Sequence, residues 1–564
     1  MTAKRALPRL KTNFTLGGEA AESDTLLERV FVDSGHFALA ASKSDRRCFM
    51  IGRTGAGKSA ILKHLADSAP EHVVRIDPEN LSLPYIAELG AVRQLASLDV
   101  HLDPLFIALW KHVLLVEIIR HRYHVDSAAS KQNIFSNLFE RVKRDAGKRA
   151  ALEYLDDFEG KFWAETDGRV REFTRKFEEQ IDSAGGVQLT LGGLVAAGVA
   201  GKNVTTTNTE VKSSQVNIFQ RIVNDSQLPR LNKMMEILDE DILESEQDFT
   251  YILIDNLDRD WVDEKIANDL IRCLFRTVVD LQKVRQLKVI VALRTNIFEE
   301  LDFGRTGGQE EKFRALSVQV RWTREDLVTL LDQRAKAASE DYGIPSVTAI
   351  ADLLPNVNRV RGNPLDFVFE RTLLRPRDAI AFLNECFAQV SLKSKTRLTW
   401  EDIHRAESEY SRKRLWALRD EWKPTFPGID EVFGQFQGHS AEMDREEFTR
   451  CLDEAALLVA SHTFAGVVWM TALATNIWAG SHDATWVDQY QALVRLLFQI
   501  GFLGFARPGR SDPLYSYDDL GFADRPSNLE AVDRFVIHPA FRSALDSRVE
   551  NRRPTQTNAG VDDL

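Results

Sequence analysis

The 564-residue chain is poor in several features, and each shortage closes off a class of protein. It has four cysteines, Cys48, Cys273, Cys386 and Cys451, with no CxxC pair and no zinc-ligand spacing among them. That scatter argues against a disulfide framework or a metal knuckle, and each thiol reads as a small buried apolar residue in a reducing compartment. Long hydrophobic runs are also lacking. The stretch LFIALWKHVLLVEIIR (105–120) is interrupted by Lys111, His112 and Glu117 and reads as a core helix, while LTLGGLVAAGVAG (189–201) is too short to span a bilayer. The opening MTAKRALPRLKTNF carries basic residues with no apolar stretch behind them, so a cytoplasmic chain without a secretion signal is expected. A positive balance is missing as well: the formal net charge is −12, so any nucleic-acid contact needs a local basic patch. No internal repeat, nuclease-like acid cluster or Ser/His/Asp arrangement is visible.

What the chain does contain is RCFMIGRTGAGKSAILKHL (47–65). Cys48 to Ile51 reads as a short buried strand, and Ile61, Leu62 and Leu65 recur at helical spacing. Between them Gly52, Arg53, Thr54, Gly55, Ala56, Gly57, Lys58 and Ser59 fit the P-loop pattern, with Ala60 continuing into the helix. Glycines let successive N–H groups turn toward an anion without a Cβ clash, and a helix N-terminus adds the positive end of its dipole. In such a loop Lys58 reaches the β- and γ-phosphates and the Ser59 hydroxyl ligates Mg²⁺. A chance match in a chain of this length is roughly a 2 % event on average glycine usage.

The rest of the chain organises around that loop, its length suggesting about three or four domains. Residues 1–46 form a lead-in with AAESDTLLERVF helical, and 47–125 the first part of an α/β core with a second strand at HVVRID (72–77). A charged helical insertion with a polar loop, GKNVTTTNTEVKSS, occupies 126–245. The core resumes over 246–322 with strands at FTYILID, KVIVAL and LSVQVRW, predicting a parallel five-stranded sheet. Tyr251 to Ile254 delivers Asp255 to the strand's C-terminal end, where open parallel sheets place their ligands. A helical lid is expected over 323–440. Over 441–550 the order helix, helix, helix, hairpin, with the turn at Pro508-Gly509, is the outline of a winged-helix domain, and 551–564 reads as a disordered tail.

Read together, GRTGAGKSA, ILIDNLDRDW and VIVALRTNIFEEL, with LLRPRDAIAFLNECF and FVIHPAFRSAL, resemble a family of bacterial P-loop ATPases similar to origin-recognition initiators. That family lies near the boundary of the AAA+ and STAND classes, and KAP-type ATPases are similar in the IDNLDR stretch. The resemblance implies ATP and Mg²⁺ bound between the α/β domain and the lid. Gly52, Thr54, Gly55, Ala56, Gly57, Lys58, Ser59 and Ala60 then form Walker A, and Asp255 is the Walker B carboxylate sharing the metal with Ser59. Arg294 matches a sensor arginine, Arg375 and Arg377 the lid arginines, and GNPL (362–365) the STAND glycine–proline motif. AAA+ enzymes follow the Walker B aspartate with a water-orienting glutamate, whereas this chain has Asn256, which cannot accept a proton. Asp258 is the nearest alternative carboxylate, so slow hydrolysis is expected, as in a switch.

Blander roles compete at several positions. Arg294 and Arg377 could form ordinary ion pairs, and Arg272 and Arg276 are better read as a solvated helix face than as a finger to a neighbouring subunit. His538 reads as structural, and Trp261 and Trp322 as packing anchors. Residues 444–550 hold nine arginines, no lysine and fifteen acids, and Arg507 and Arg510 at the wing have acidic neighbours. That balance disfavours duplex binding and points to docking on protein. Three functions stay open: a nucleotide-dependent switch with protein partners or self-association, in prokaryotic defence or mobile-element biology as the resemblance implies; a DNA-engaging initiator- or loader-like ATPase; and an ATP-bound scaffold that does not hydrolyse.

Overall fold

The computed structural model describes residues 8–77, 102–123, 228–257, 264–301, 310–344, 346–393, 395–478, 484–507 and 512–549, with isolated positions between 136 and 149. Most of the expected insertion, Asp258, Trp261, Arg510, the Pro508-Gly509 turn and the tail therefore lie outside the described residues. The chain divides into two compact units. One comprises Asp33–Arg53 and Lys58–Val320, the other Met1–Val32, Thr54–Gly57 and Arg321–Leu564.

The first unit is built on a five-stranded sheet. Helix α1 (His36–Ala41) precedes β1 (Phe49–Gly52), α2 (Lys58–Ser68), β2 (Val73–Ile76) and α3 (Asp103–Tyr123). After α4 (Leu228–Ile237) come β3 (Thr250–Ile254), α5 (Glu264–Leu281), β4 (Leu287–Arg294), α6 (Thr295–Glu300) and β5 (Ser317–Gln319). The strands run in the order β2-β3-β4-β1-β5, all neighbours parallel. β1 and β3 are buried along their whole length, which is why their sequences run apolar without alternation. The interrupted stretch 105–120 falls inside α3, a core helix whose Trp110 indole donates to Leu270 O at 2.9 Å. No helix of the described residues is long and apolar enough to cross a membrane.

β4 carries one buried cation. Lys288 donates to Leu39 O and Ser42 O at 2.7 Å each, closing the end of α1, and burial lowers its pKa to about 8. On α5, Arg272 is neither a finger nor a solvated residue: it is buried against Asp103 and Asp269 at 2.6 and 2.8 Å. A guanidinium two per cent exposed keeps its charge only with such partners, and three-residue spacing on α5 brings Asp269 to it.

The second unit has a helical layer and a C-terminal domain. The layer consists of α7 (Arg324–Asp341), α8 (Pro364–Glu370), α9 (Pro376–Leu392) and α10 (Trp400–Trp422). Leu10, Phe14, Leu16, Leu26 and Val30 pack into its core. The expected lead-in helix is absent; residues 20–29 run in turns. Asp24 explains this, since its carboxylate accepts from the Gly18 and Leu26 N–H groups and pairs with buried Arg334, committing that backbone to turns.

After α11 (Ile429–Gly434), the C-terminal domain holds β6 (Glu442–Asp444), α12 (Arg445–Leu457), α13 (Val468–Trp478), α14 (Trp486–Gln499), β7 (Leu503–Phe505), β8 (Arg534–Ile537) and α15 (Pro539–Arg542). Its antiparallel sheet has the order β6-β8-β7. β7 thus pairs with β8, while LYSYDD (514–519), the stretch after the expected turn, makes a single bridge among the described residues, Phe505 to Leu514. Asp518 accepts the Tyr515 N–H at 3.0 Å, and the Asp518 and Asp519 N–H groups donate back to Tyr515 O, so the chain leaves the sheet there. The core of this domain includes Leu418 and Trp422 from the end of α10.

Candidate functional site

The glycine-rich turn leaves β1 at Gly52 and enters α2 at Lys58. The Lys58 side chain folds back over it, donating to Gly52 O at 2.7 Å and Arg53 O at 3.1 Å, and only 9% of the residue is exposed. Ser59, next on α2, and Ala60 are half-buried. Gly55 and Gly57 adopt φ of +78° and +95°, which residues with a Cβ rarely take. The pattern therefore meets the backbone demand that makes a loop able to turn N–H groups toward an anion.

The sheet register places the other predicted groups. Ile254, Val291, Phe49 and Ser317 stand level across four strands, so Asp255 leaves the same C-terminal edge as the turn, with β4 between them. At the strand spacing of about 4.8 Å this is roughly 10 Å of sheet. Arg294, last in β4, is the register partner of Gly52. Ile76 pairs with Ile254, so Asp77 follows its strand beside Asp255. Asp77 is invisible in the sequence as a site residue because only the pairing of β2 with β3 brings it there.

Asn256 lies at φ +59°, and its N–H donates to Asp255 Oδ1 at 2.9 Å. Asparagine tolerates this left-handed conformation better than glutamate, so the backbone itself favours the departure from the AAA+ pattern.

The four residues Thr54–Gly57 belong to the second unit. There Trp322 donates its indole N–H to Ala56 O at 2.7 Å, and the Arg377 N–H reaches Gly55 O at 3.4 Å. A Cβ on Gly55 would come within 2.8 Å of Arg377 Cβ, so the close approach as well as φ requires glycine. Arg377 Nε donates to Glu19 O at 3.1 Å, and Arg377 has no ion-pair partner among the described residues. Burial, followed by the neighbouring Arg375 charge, lowers its pKa.

Arg375 is buried and holds Asp378 through two nitrogens at 2.9 and 3.2 Å. Its remaining nitrogen donates to Thr54 O at 2.9 Å and to Glu421 Oε2 at 3.3 Å, while Glu421 Oε1 accepts the Thr54 N–H at 3.2 Å. Burial opposes the Arg375 charge, but Asp378 and Glu421 outweigh it and raise its pKa. Burial likewise opposes ionisation of Asp378, and Arg375 and Arg414 hold it well below the ordinary carboxylate range. Glu421 sits 46 residues beyond Arg375, with no local signal to mark it. Other predicted positions fall elsewhere: GNPL starts α8, with Asn363 accepting the Leu365 N–H, and buried His538 accepts the Ala540 N–H at the start of α15. All four cysteines are free and buried, and burial raises each thiol pKa, Cys48 to about 12.

A family model described as a FunZ-associated C-terminal helical domain matches residues 325–419, from α7 into α10. The putative transposon gamma-delta 80.3 kDa protein of Escherichia coli (strain K12) is 20% identical over 94% of this chain, which spans 66% of that protein. Among solved structures, the Aeropyrum pernix ORC1 protein in complex with DNA is similar at a TM-score of 0.29 and 12% identity, over 91% of this chain and 90% of that one.

Proposed function

We propose that the chain is an ATP-binding P-loop ATPase that works as a slow nucleotide-dependent switch. The observation that carries this reading is the buried Lys58 ammonium, folded onto Gly52 and Arg53 carbonyls at the sheet edge from which Asp255 and Arg294 also emerge. A lysine at that place in a glycine-rich turn, beside backbone N–H groups, suits a polyphosphate. The loop fits such a group, because two glycines at positive φ allow its N–H groups to converge where side chains would obstruct. Lys58 and the loop N–H groups would hold the phosphates, with Arg294 as a further cation. Ser59 and Asp255 would hold Mg²⁺, which offsets phosphate charge when bound. Asn256 orients water without accepting its proton, which supports slow turnover, and Asp258 remains the alternative acid.

A second reading, a DNA-engaging initiator- or loader-like ATPase, is in keeping with a relative named as a putative transposon protein. Turnover of wild type and Lys58→Ala, with and without duplex DNA, separates the two. Mass measurement in ADP and in a non-hydrolysable ATP analogue accompanies it. Loss of charged hydrogen bonds worth about 3 kcal/mol predicts roughly a hundredfold weaker ATP binding for Lys58→Ala. Nucleotide-dependent assembly without DNA stimulation supports the switch; unchanged affinity in Lys58→Ala removes the assignment of the loop. Bound ATP with no phosphate release in wild type and in Asp255→Ala would favour the scaffold.

A further inference from the structure

The peptide groups on both sides of Thr54 are gripped by one ion network. Its N–H donates to Glu421 Oε1 and its carbonyl accepts from Arg375 Nη1, while Arg375 and Glu421 bond to each other at 3.3 Å. Neither partner is a surface side chain that settled on a convenient carbonyl: both residues are 7% exposed. Arg375 cannot follow the loop if the loop moves, because Asp378 holds two of its nitrogens and is itself fixed by Arg414 at 3.0 Å and by the Leu373 N–H. Glu421 is placed differently. It lies in the last turn of α10, between Leu418 and Trp422, which are part of the core of the C-terminal domain. Further back on the same helix Ser411 Oγ accepts the Ala544 N–H at 3.0 Å, just past α15. Asp378 thus anchors Arg375 from the first turn of α9, while Arg414 and Glu421 both reach the network from α10.

We infer that Arg375 and Glu421 are the positioning pair of the glycine turn: they set the orientation of both Thr54 peptides and so tie the shape of the turn to the last turn of α10. The inference rests on the preceding reading of that turn as a triphosphate site. A purely structural ion pair would satisfy its own members and leave loop backbone to water. Here one partner takes the donor and the other the acceptor of a single loop residue, which fixes two peptide planes in a segment already freed by glycines at 55 and 57. Shifting Glu421 alters the N–H directions available to an anion, and filling the turn pulls on Glu421.

The test uses the full chain with ATP, hydrogen exchange of peptides covering 50–58 and 414–424, and the variants Glu421→Ala and Glu421→Gln. Glutamine keeps an oxygen that accepts the Thr54 N–H, whereas alanine keeps none. Glu421→Ala is expected to speed exchange of the loop peptide and weaken ATP binding about tenfold, and Glu421→Gln to restore most of both. In wild type, saturating ATP is expected to change exchange in 414–424 at least twofold, a readout that needs no variant to fold. A folded Glu421→Ala chain with wild-type ATP affinity, or a 414–424 peptide indifferent to ATP, would overturn the pairing. Wild type that binds no ATP would instead overturn the triphosphate reading, while loop exchange in Glu421→Ala against wild type would still decide whether the pair holds Thr54.

Discussion

At the scale of single residues, what was legible in the sequence is what backbone geometry demands locally. Gly55 and Gly57 take positive φ, and the spacing of lysine and serine after them is covalent, so the turn could be read without knowing the fold. Gly55→Ala would combine a left-handed Cβ with a 2.8 Å approach to Arg377, and is expected to lower stability by about 1–3 kcal/mol and ATP affinity by more than tenfold. Urea midpoints and ATP titration check the two effects separately. Asn256, at φ +59°, makes the complementary case. Asn256→Gly should be neutral to within about 0.5 kcal/mol, and Asn256→Val should cost about 1–2 kcal/mol, because β-branching resists that conformation. Equal midpoints for the two variants would mean that φ does not explain the asparagine. Asp77 and Glu421 were not legible for the opposite reason: strand pairing and a distant helix end place them, and neither leaves a local pattern.

At the scale of elements, β1, β3 and β4 could be read as apolar runs, since burial on both faces removes alternation, whereas β2 exposes Arg75 and β5 buries only Val318. Their order could not, because nothing in β4 says that it inserts between β1 and β3. The two misreadings share a cause. Around 20–31 and 513–519 the residue pattern suited a regular element, but Asp24 and Asp518 each capture nearby N–H groups and divert the chain into turns. Asp378, in the first turn of α9, is the element-scale site where a charge decides stability. Its folded pKa is depressed by Arg375 and Arg414, against the cost of burial. The stability it contributes is therefore fully present above the unfolded value of 3.8 and is lost as pH falls through the lower folded value. Asp378→Asn should cost about 3–5 kcal/mol at pH 7 by leaving two buried guanidiniums short of a counter-charge. Between pH 5 and pH 2 the variant's urea midpoint should fall less than that of wild type. Parallel decline of the two would show that Asp378 does not carry the acid dependence.

At the scale of the molecule, charge separates two uses of the C-terminal domain. A domain that reads duplex DNA through its third helix presents cations there, and the exposed positions of α14 are Asp488, Ala492 and Arg495, the last paired with Asp524 at 2.7 Å. Among the described residues of the wing, Arg507 already holds the Asp512 carboxylate and carbonyl. Arg445, Arg542 and Arg548 are likewise engaged, with the Glu530 and Val532 carbonyls, the Ile537 carbonyl and Glu447. Releasing such partners to contact phosphate would subtract from the counterion-release gain that drives non-specific binding. The apolar core of the same domain takes in Leu418 and Trp422 from α10. The full chain is accordingly expected to bind a 30-base-pair duplex more weakly than about 1 µM at 0.15 M salt, within the non-specific range, and its ATP turnover to change less than about twofold on adding DNA. Titration by fluorescence anisotropy at several salt concentrations, with Arg495→Ala beside wild type, measures this. Sub-micromolar binding with a steep salt slope that Arg495→Ala reduces would place DNA on α14 and overturn the expectation from charge that the domain docks on protein.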